Sequence, residues 1–300
     1  MKLQDNNDFF KRLKGKGRKM LFRYSFALNL LALALLFVRP CHSQESIPLT
    51  YQSTVIGYGT SSVYDSYLSQ LKYVGNNVGL YYEQMQISDL ADGRIAIQHL
   101  FSGNYAWDKN QSETASYYTG MFEYDYGMHY RFKPAEKLQV FAGAQAGGLL
   151  GFIYNTRNGN NPATGKFHLN LKLSAMANYQ VKIKSQPLLF RYQLSSPFVG
   201  IMYSPQFGQS YYEIALGDNE DLAHFSSFHN YLAIRNRLSV EIPLSWVTFR
   251  LDFVNSFYET RINSLDTRIN MNTFCIGISK NFYVVPGKNP DKKAYRYVFE

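Results

Sequence analysis

The sequence predicts an all-β fold, an antiparallel transmembrane β-barrel of about ten strands, with twelve as the alternative, preceded by a signal peptide. Three observations predict this fold. Apolar and polar residues alternate over segments much longer than an ordinary strand of about five or six residues. Short and long connections between these segments also alternate along the chain. In addition, the N-terminus carries a basic and then apolar segment, as exported proteins do.

The predicted signal peptide covers residues 1–43. It holds nine of the chain's 31 Lys and Arg and two of its 22 Asp and Glu, and it contains the short apolar run 26–38 (FALNLLALALLFV). A basic segment, a short apolar core and small residues at the end are typical of a secretory signal, so we predict cleavage after Ser43. A start at Met20 instead of Met1 is an alternative. The remaining chain carries +2 rather than +9, so its charge does not indicate nucleic-acid binding.

The cysteines give no evidence of a disulfide or metal site. Cys41 lies in the predicted signal, and residues 38–40 before it lack the small apolar residues of a lipidation site. Cys275 is then the only cysteine of the predicted mature chain, which excludes a disulfide framework within one chain. No zinc-protease, Walker or glycine-rich nucleotide motif is present. No cofactor and no metal site are therefore predicted.

Ten segments show the alternation expected of strands. They span 51–59, 78–87, 93–106, 117–132, 137–154, 166–184, 188–202, 232–242, 247–257 and 268–284. The pattern is clearest in 166–184, where Leu171 and Leu173 share an apolar face while Asn170 and Lys172 point the other way. A membrane-crossing strand needs about 9–11 residues, apolar outside and polar inside. Such strands cross lipid only in a closed barrel, because an open edge leaves backbone groups unpaired.

Two segments lack a clear alternation. Residues 60–77 are predicted to be a loop or a short extra hairpin, and 203–228 a long loop that folds inward or projects outward. A hidden hairpin in either would raise the strand number to twelve. The other connections are short at 88–92, 133–136, 185–187 and 243–245, long at 107–115 and 155–165, and medium at 262–267.

The loop lengths predict the orientation, because outer-membrane barrels have short periplasmic turns and longer outer loops. We predict a barrel within 44–285 in the outer membrane of a Gram-negative bacterium, with both mature termini in the periplasm. Residues 286–300 are predicted to form a short periplasmic tail.

Charged residues collect at the predicted inward positions. Barrels near this size are just wide enough for side chains to fill the interior, and unpaired charges there are costly. The mixed signs therefore predict a lumen largely plugged by ion pairs, and a charged pore lining or a catalytic cluster is the alternative. Glycines at 143, 147 and 151 are predicted to leave room for long arginines. The predicted lumen-lining residues are Glu123, Asp125, His129, Arg131, His168, Lys172, Arg191, Arg235, Arg237, Glu241, Arg250 and Asp252.

The predicted function is that of a narrow structural or small-solute transport barrel of unknown cargo, and no catalytic residue is assigned. The alternative is a membrane-embedded hydrolase that acts on envelope lipid or peptide. Its base would be one of the histidines, none of which stands in a recognisable nucleophile motif: His99, His129, His168, His224 and His229. The predicted partners are outer-membrane lipid and the barrel-assembly machinery, with no nucleic acid and no obvious protein partner.

Two motifs carry a family resemblance. Residues 151–163 are GFIYNTRNGNNPA, and residues 190–214 are FRYQLSSPFVGIMYSPQFGQSYYEI. With these motifs the mature chain resembles an uncharacterised Bacteroidetes-type family of outer-membrane proteins, which is classed as a domain of unknown function. The resemblance implies the barrel class and the outer-membrane location. It implies no catalytic residues.

Overall fold

The computed structural model describes most of the chain that follows the predicted signal peptide. The described residues are 47–48, 50–159, 161–184, 186–217, 222–244, 246–282 and 295–296. The predicted signal peptide, its cleavage site and most of the predicted tail 286–300 lie outside them. No helix in these ranges is long and apolar enough to cross a membrane.

The described part of the chain contains thirteen strands and one short helix. They are β1 (Ile47–Pro48), β2 (Thr50–Asp65), β3 (Ser69–Ser88), β4 (Ile95–Asn110), β5 (Ser116–Ala135), β6 (Leu138–Asn155), β7 (Ala163–Ile183), β8 (Gln186–Tyr203), α1 (Tyr211–Ala215), β9 (Ala223–Ser227), β10 (Tyr231–Pro243), β11 (Thr248–Ile262), β12 (Leu265–Phe282) and β13 (Tyr295–Arg296).

Ten of these strands close into one barrel. Strands β2 to β8 and β10 to β12 each pair antiparallel with their neighbours along the chain, and β10 follows β8 directly in the ring. The last long strand, β12, pairs with β2 and so closes the sheet on itself. The prediction of an antiparallel barrel of ten strands is confirmed.

The outer surface of the barrel is apolar. On β7, Leu171 and Leu173 are 47% and 55% exposed, whereas Asn170 and Lys172 between and beside them are 6% and 4% exposed. The other strands repeat this alternation, so large apolar side chains cover the outside while polar ones turn inward. Aromatic residues also stand on the outside toward the strand ends, for example Trp107. This is the surface of a barrel that faces lipid, and the fold is therefore a transmembrane barrel.

Residues 60–77 are neither a loop nor an extra hairpin, which corrects the prediction. Strand β2 continues to Asp65, the chain turns at 66–68, and β3 begins at Ser69. The predicted medium connection at 262–267 is also shorter, because Asn263 and Ser264 alone join β11 to β12. Both have positive φ, at 53° and 60°, as two-residue hairpin turns require. The predicted alternation of short and long connections is thus wrong at these two hairpins, and also between β3 and β4, where the connection 89–94 is longer than the next one, 111–115.

The long segment after β8 contains α1 and β9 rather than a hairpin of its own. Helix α1 begins with a capping box, in which the Ser210 hydroxyl accepts from the Glu213 amide and the Glu213 carboxylate accepts from the Ser210 amide. The Ser210 hydroxyl also donates to the Glu213 carboxylate. The hydrogen bonds from the Ser210 amide and hydroxyl lower the pKa of Glu213. Strand β9 pairs with the end of β8, so this part of the segment extends the barrel wall.

Apolar side chains fill the interior near both rims. Toward the rim with the chain ends, a buried cluster is formed by Tyr51, Met85, Ile87, Ala96, Phe141 and Met176. Toward the opposite rim, a larger cluster includes Leu68 and the rings of Tyr73 and Tyr117, which stack with centroids 3.6 Å apart. Most of the charged side chains of the interior lie between these two clusters.

Candidate functional site in the barrel interior

A buried carboxylate on β3 holds three arginines of the opposite wall. Glu83 is fully buried, and its Oε1 lies 2.7 Å from Arg191 Nη2 of β8. Its Oε2 lies 3.0 Å from Arg250 Nη1 of β11 and 3.5 Å from Arg237 Nη1 of β10. Because β3 is not a neighbour of these strands in the ring, these ion pairs cross the lumen.

Two further acids complete this group. Asp252 lies 2.7 Å from both Arg237 Nε and Arg250 Nε. Glu241 Oε1 lies 3.3 Å from Arg191 Nη1 and 3.4 Å from Arg250 Nη1. Charge-assisted pairs of this kind offset the desolvation of each buried ion only when its remaining hydrogen-bonding groups are also satisfied. We call these six residues the Glu83 cluster: Glu83, Arg191, Arg237, Glu241, Arg250 and Asp252.

A second group, the Glu123 cluster, consists of Glu123, Asp125, Lys172 and Arg235. Lys172 pairs with Glu123 and lies 2.6 Å from Asp125 Oδ1. Arg235 pairs with Glu123 from the opposite wall, and its Nη1 lies 3.3 Å from Asp125 Oδ2. Arg235 is the most accessible member, with 17% of its side chain exposed.

Polar side chains link the Glu83 cluster to the surrounding walls. Gln98 Nε2 donates to Glu83 Oε1 over 2.7 Å, and the amides of Gln145 and Gln193 both donate to Gln98 Oε1. Above the Glu123 cluster, Lys166 pairs with Asp65 at 2.6 Å.

The charges balance within each of the three ion-paired groups, whereas Asp108, also buried, accepts a hydrogen bond from the Ser61 hydroxyl and has no basic partner among the described residues. The Glu83 cluster contains three acids and three arginines, the Glu123 cluster two acids and two bases, and the pair Asp65 and Lys166 one of each. A low-dielectric interior strongly favours such neutrality, because a net buried charge has no nearby counter-ion. The arrangement resembles a plug rather than a pore lining of one sign.

The structure brings nine of the twelve predicted lining residues into the two clusters. His129 and His168 are also buried, at 0% and 1% exposure, but outside them. His168 Nε2 lies 2.7 Å from the Tyr258 hydroxyl. Arg131 stands apart at the rim with the chain ends, where it donates to the Gly93 carbonyl oxygen at 3.1 Å.

Sequence reasoning missed Glu83, the residue on which the larger cluster centres, and the pair Asp65 and Lys166. Glu83 lies two residues from Tyr81 and two from Met85, which are both buried. Because every second residue of a strand faces the same side, this spacing could have identified Glu83 as an inward residue. The signal is weak because the neighbouring Tyr82 makes the outward face of the strand just as aromatic.

The glycines of β6 do not make room for arginines, contrary to the prediction. A Cβ at Gly147 would lie 2.8 Å from Lys172 Cε and against Asp125, so this glycine accommodates the lysine of the Glu123 cluster. At Gly143 a Cβ would instead meet the backbone of β5 at Met128 and His129. The space inside β6 is thus used for close strand packing and for one lysine.

The hydrolase alternative finds one contact between a serine hydroxyl and a histidine ring among the described residues, between Ser227 Oγ and His229 Nδ1 at 2.5 Å on the exposed outer part of the wall. No carboxylate of the described chain contacts the other nitrogen of His229, whereas nucleophilic catalysis needs a base that a third group orients. Cys275 is buried with 3% exposure. Within the described ranges, no three His, Cys, Asp or Glu residues gather as a metal site would need.

Comparison with solved structures finds other barrels at low similarity. The transport unit of the autotransporter AIDA-I from Escherichia coli aligns over 86% of this chain and 98% of its own, with 9% identity and a TM-score of 0.38. The outer membrane protease OmpT from Escherichia coli aligns over 78% of this chain and 97% of its own, with 9% identity and a TM-score of 0.41. An outer membrane channel from Pseudomonas putida F1 aligns over 82% of this chain and 100% of its own, with 9% identity and a TM-score of 0.39. Similarity at this level transfers neither an activity nor a cargo to this chain.

The comparison by sequence is more specific. No curated protein matches the chain. One family model, described as a protein of unknown function (DUF3316), matches residues 13–289. That range includes every barrel strand and both motifs that carried the resemblance. The matched family is one of unknown function, as the resemblance implied. The closed ten-stranded barrel with its ion-paired interior is therefore the structure of a protein that belongs to the DUF3316 family.

Proposed function

We propose that this protein is a narrow, closed barrel of the outer membrane of a Gram-negative bacterium. It has a structural role or transports a small solute, and the identity of this cargo is unknown. The observation that carries the proposal is the neutral network of the Glu83 and Glu123 clusters, which joins opposite walls of the lumen. Ions that cross the lumen would have to separate these buried pairs. The barrel is therefore blocked at rest, and any transport needs rearrangement of the plug.

The proposal includes an orientation with both mature termini in the periplasm. The described ends of the barrel, Thr50 and Phe282, share a rim with the turn at 136–137 and with the end of β7 at Ile183. The opposite rim carries the longest connection, 204–230, as expected for the outer side. Outer-membrane lipid and the barrel-assembly machinery remain the proposed partners, and an origin in the Bacteroidetes stays a prediction.

Epitope labelling tests this orientation. A tag inserted between Leu216 and Gly217, in the longest connection, is expected to bind antibody on intact cells. The same tag inserted between Glu136 and Lys137 is expected to bind antibody only after the outer membrane is permeabilised. The reverse pattern would overturn the orientation, and labelling of neither site before cell lysis would contradict the outer-membrane location.

Bilayer conductance tests the plug. The wild-type protein, refolded into planar bilayers, is expected to give little or no steady current. The double variant R235A/R237A is expected to conduct, because Arg235 holds Glu123 and Asp125 across the lumen and Arg237 holds Glu83 across it. The acids left behind attract water and cations.

A matched control uses two arginines outside the lumen. Arg261 and Arg268 pair with Glu259 at 2.8 and 3.1 Å, and their side chains are 61% and 50% exposed. The variant R261A/R268A is therefore expected to be as silent as the wild type. Large, stable wild-type channels would overturn the plug, and a silent R235A/R237A variant would show that the block lies elsewhere.

A further inference from the structure

The barrel wall is interrupted between β8 and β10. The ladder between these strands covers Leu189–Ser195 of β8, and the ladder with β9 begins again at Val199. Residues 196–198 of β8 lie between the two ladders, and continuation of the register from the Arg235–Ser195 pair places them opposite residues 232–234 at the start of β10. Pro197 at the centre of this stretch has no amide hydrogen to donate. After β9 the chain leaves the wall at 228–230. Strand β10 pairs with β8 only from Arg235 onward, nearer the rim with the chain ends, and this leaves a gap between the two strands.

An internal cavity of about 60 Å³ reaches this gap. Its inner lining includes Met121, Leu149, Tyr231 and Met271. Pro197 and Ala233 border the cavity at the wall, and Ile234, which points outward by alternation, also lines it. A single water needs about 10–15 Å³ of such volume. The cavity thus has room for a small polar group, but not for a lipid tail.

The gap lies within the apolar belt. Along β8 it is flanked by the outward Leu194 and Ile201, which are 39% and 51% exposed. Along β10 it is flanked by Leu232 and Leu238, at 38% and 47% exposure. Exposed leucine and isoleucine on both sides place the opening opposite hydrocarbon rather than water.

The chemistry of the cavity is that of an uncharged polar group. Its floor is the Glu123 cluster, which is already neutral, so an anion or cation would add a net buried charge. Three buried polar atoms at the cavity have no hydrogen-bond partner among the described residues: Ser102 Oγ, Ser256 Oγ and Arg235 Nε. Ser102 is 6% exposed. Two hydroxyls and one N–H donor suit a group that both donates and accepts hydrogen bonds.

We infer that this cavity binds the head group of a single-chain lipid with an uncharged, hydroxyl-bearing head, of the monoacylglycerol class. The head enters sideways through the gap between β8 and β10, and the acyl chain stays in the membrane. This binding goes beyond the closed-barrel proposal and does not depend on conductance, because the lipid neither crosses the lumen nor needs the plug to open.

Photo-crosslinking tests the inference. The wild-type protein is refolded into phosphatidylcholine vesicles that contain a monooleoylglycerol with a diazirine close to its head group, and adducts are mapped by mass spectrometry after irradiation. Adducts are expected on the inward residues Met121, Tyr231 and Met271. Adducts on outward residues such as Leu171 arise from bulk lipid and serve as the internal reference.

Two variants separate binding from folding. The double variant S102A/S256A removes two hydroxyls that have no protein partner, so it is expected to fold and to remain silent in bilayers like the wild type. Its inward adducts are expected to fall about thirtyfold relative to Leu171 adducts, because the two lost hydrogen bonds together contribute on the order of 2 kcal/mol. Ala233→Phe places a ring in the cavity from the wall side and is expected to have the same effect, whereas Leu238→Phe, outward on the same strand, is expected to have none.

Two outcomes overturn the inference. Wild-type adducts confined to outward residues would show that no lipid head enters the wall. Inward adducts of equal yield with a diazirine-labelled oleic acid would show that the site does not select an uncharged head. Channels formed by the wild-type protein would overturn the closed barrel alone and leave the crosslinking result standing.

Discussion

Replacing Glu83 with Gln is expected to destabilise the barrel by about 3–5 kcal/mol, the usual cost of removing one partner from a buried ion-pair network. The variant leaves Arg191, Arg237 and Arg250 with only Glu241 and Asp252 as counter-ions. One positive charge then stays in the interior without compensation. Urea titration of the protein folded into phospholipid vesicles measures the change in the free energy of unfolding.

The control for this prediction is an exposed pair. Glu113 pairs with Lys109 at 3.0 Å, and both side chains are more than half exposed. Glu113→Gln is therefore expected to cost about 0–1 kcal/mol. The double variant E83Q/R191Q restores the charge balance and is expected to recover part of the loss. An equal cost for Glu83→Gln and Glu113→Gln would contradict the central role given to Glu83.

Leu171→Arg is expected to cost about 2–4 kcal/mol in bilayer folding, because it places a charge on the lipid face near the middle of β7. The matched control is Ile183→Arg, at the end of the same strand and equally outward, with 53% exposure against 47% for Leu171. Near the interface the same charge costs only about 0–1 kcal/mol. The two free energies are compared by urea titration in vesicles.

The comparison depends on depth alone. Asn170, the inward neighbour, is a poor control because it is 6% exposed in a packed interior beside Lys172. An arginine there would add a buried charge of its own. If Leu171→Arg and Ile183→Arg destabilise the barrel equally, the position of the membrane along β7 is wrong.

The sequence predicts a strand well where one of its faces meets hydrocarbon. Strand β7 was predicted at 166–184 and spans Ala163–Ile183, because lipid requires every second residue to be apolar. The prediction fails in β2 beyond Gly59, where the outward Thr60 and Ser62 are polar. The strand continues past that point, but its outer face no longer has to be apolar, so the alternation in the sequence disappears.

The pairing inside the lumen is harder to predict than the inward positions. Parity along a strand tells which side chains point inward, but not which of them lie at the same height. Glu83 and Arg191 lie on β3 and β8, which are not adjacent in the ring. Their contact depends on the stagger of all the strands between them, and this stagger cannot be read from one strand at a time. The gap at Pro197 is likewise a property of three strands together.

The ladder between β2 and β12 makes the protein's biogenesis all-or-none. It joins Thr50 to Phe282 and Asp65 to Thr267, so the chain must be synthesised as far as β12 before this ladder forms. Contacts so distant in sequence fold slowly. Until β12 arrives, β2 and β11 are free edges able to pair with other polypeptides. A chain truncated after Ile262 would keep both edges permanently, and we expect it to be lost to aggregation or proteolysis rather than to persist as a smaller barrel.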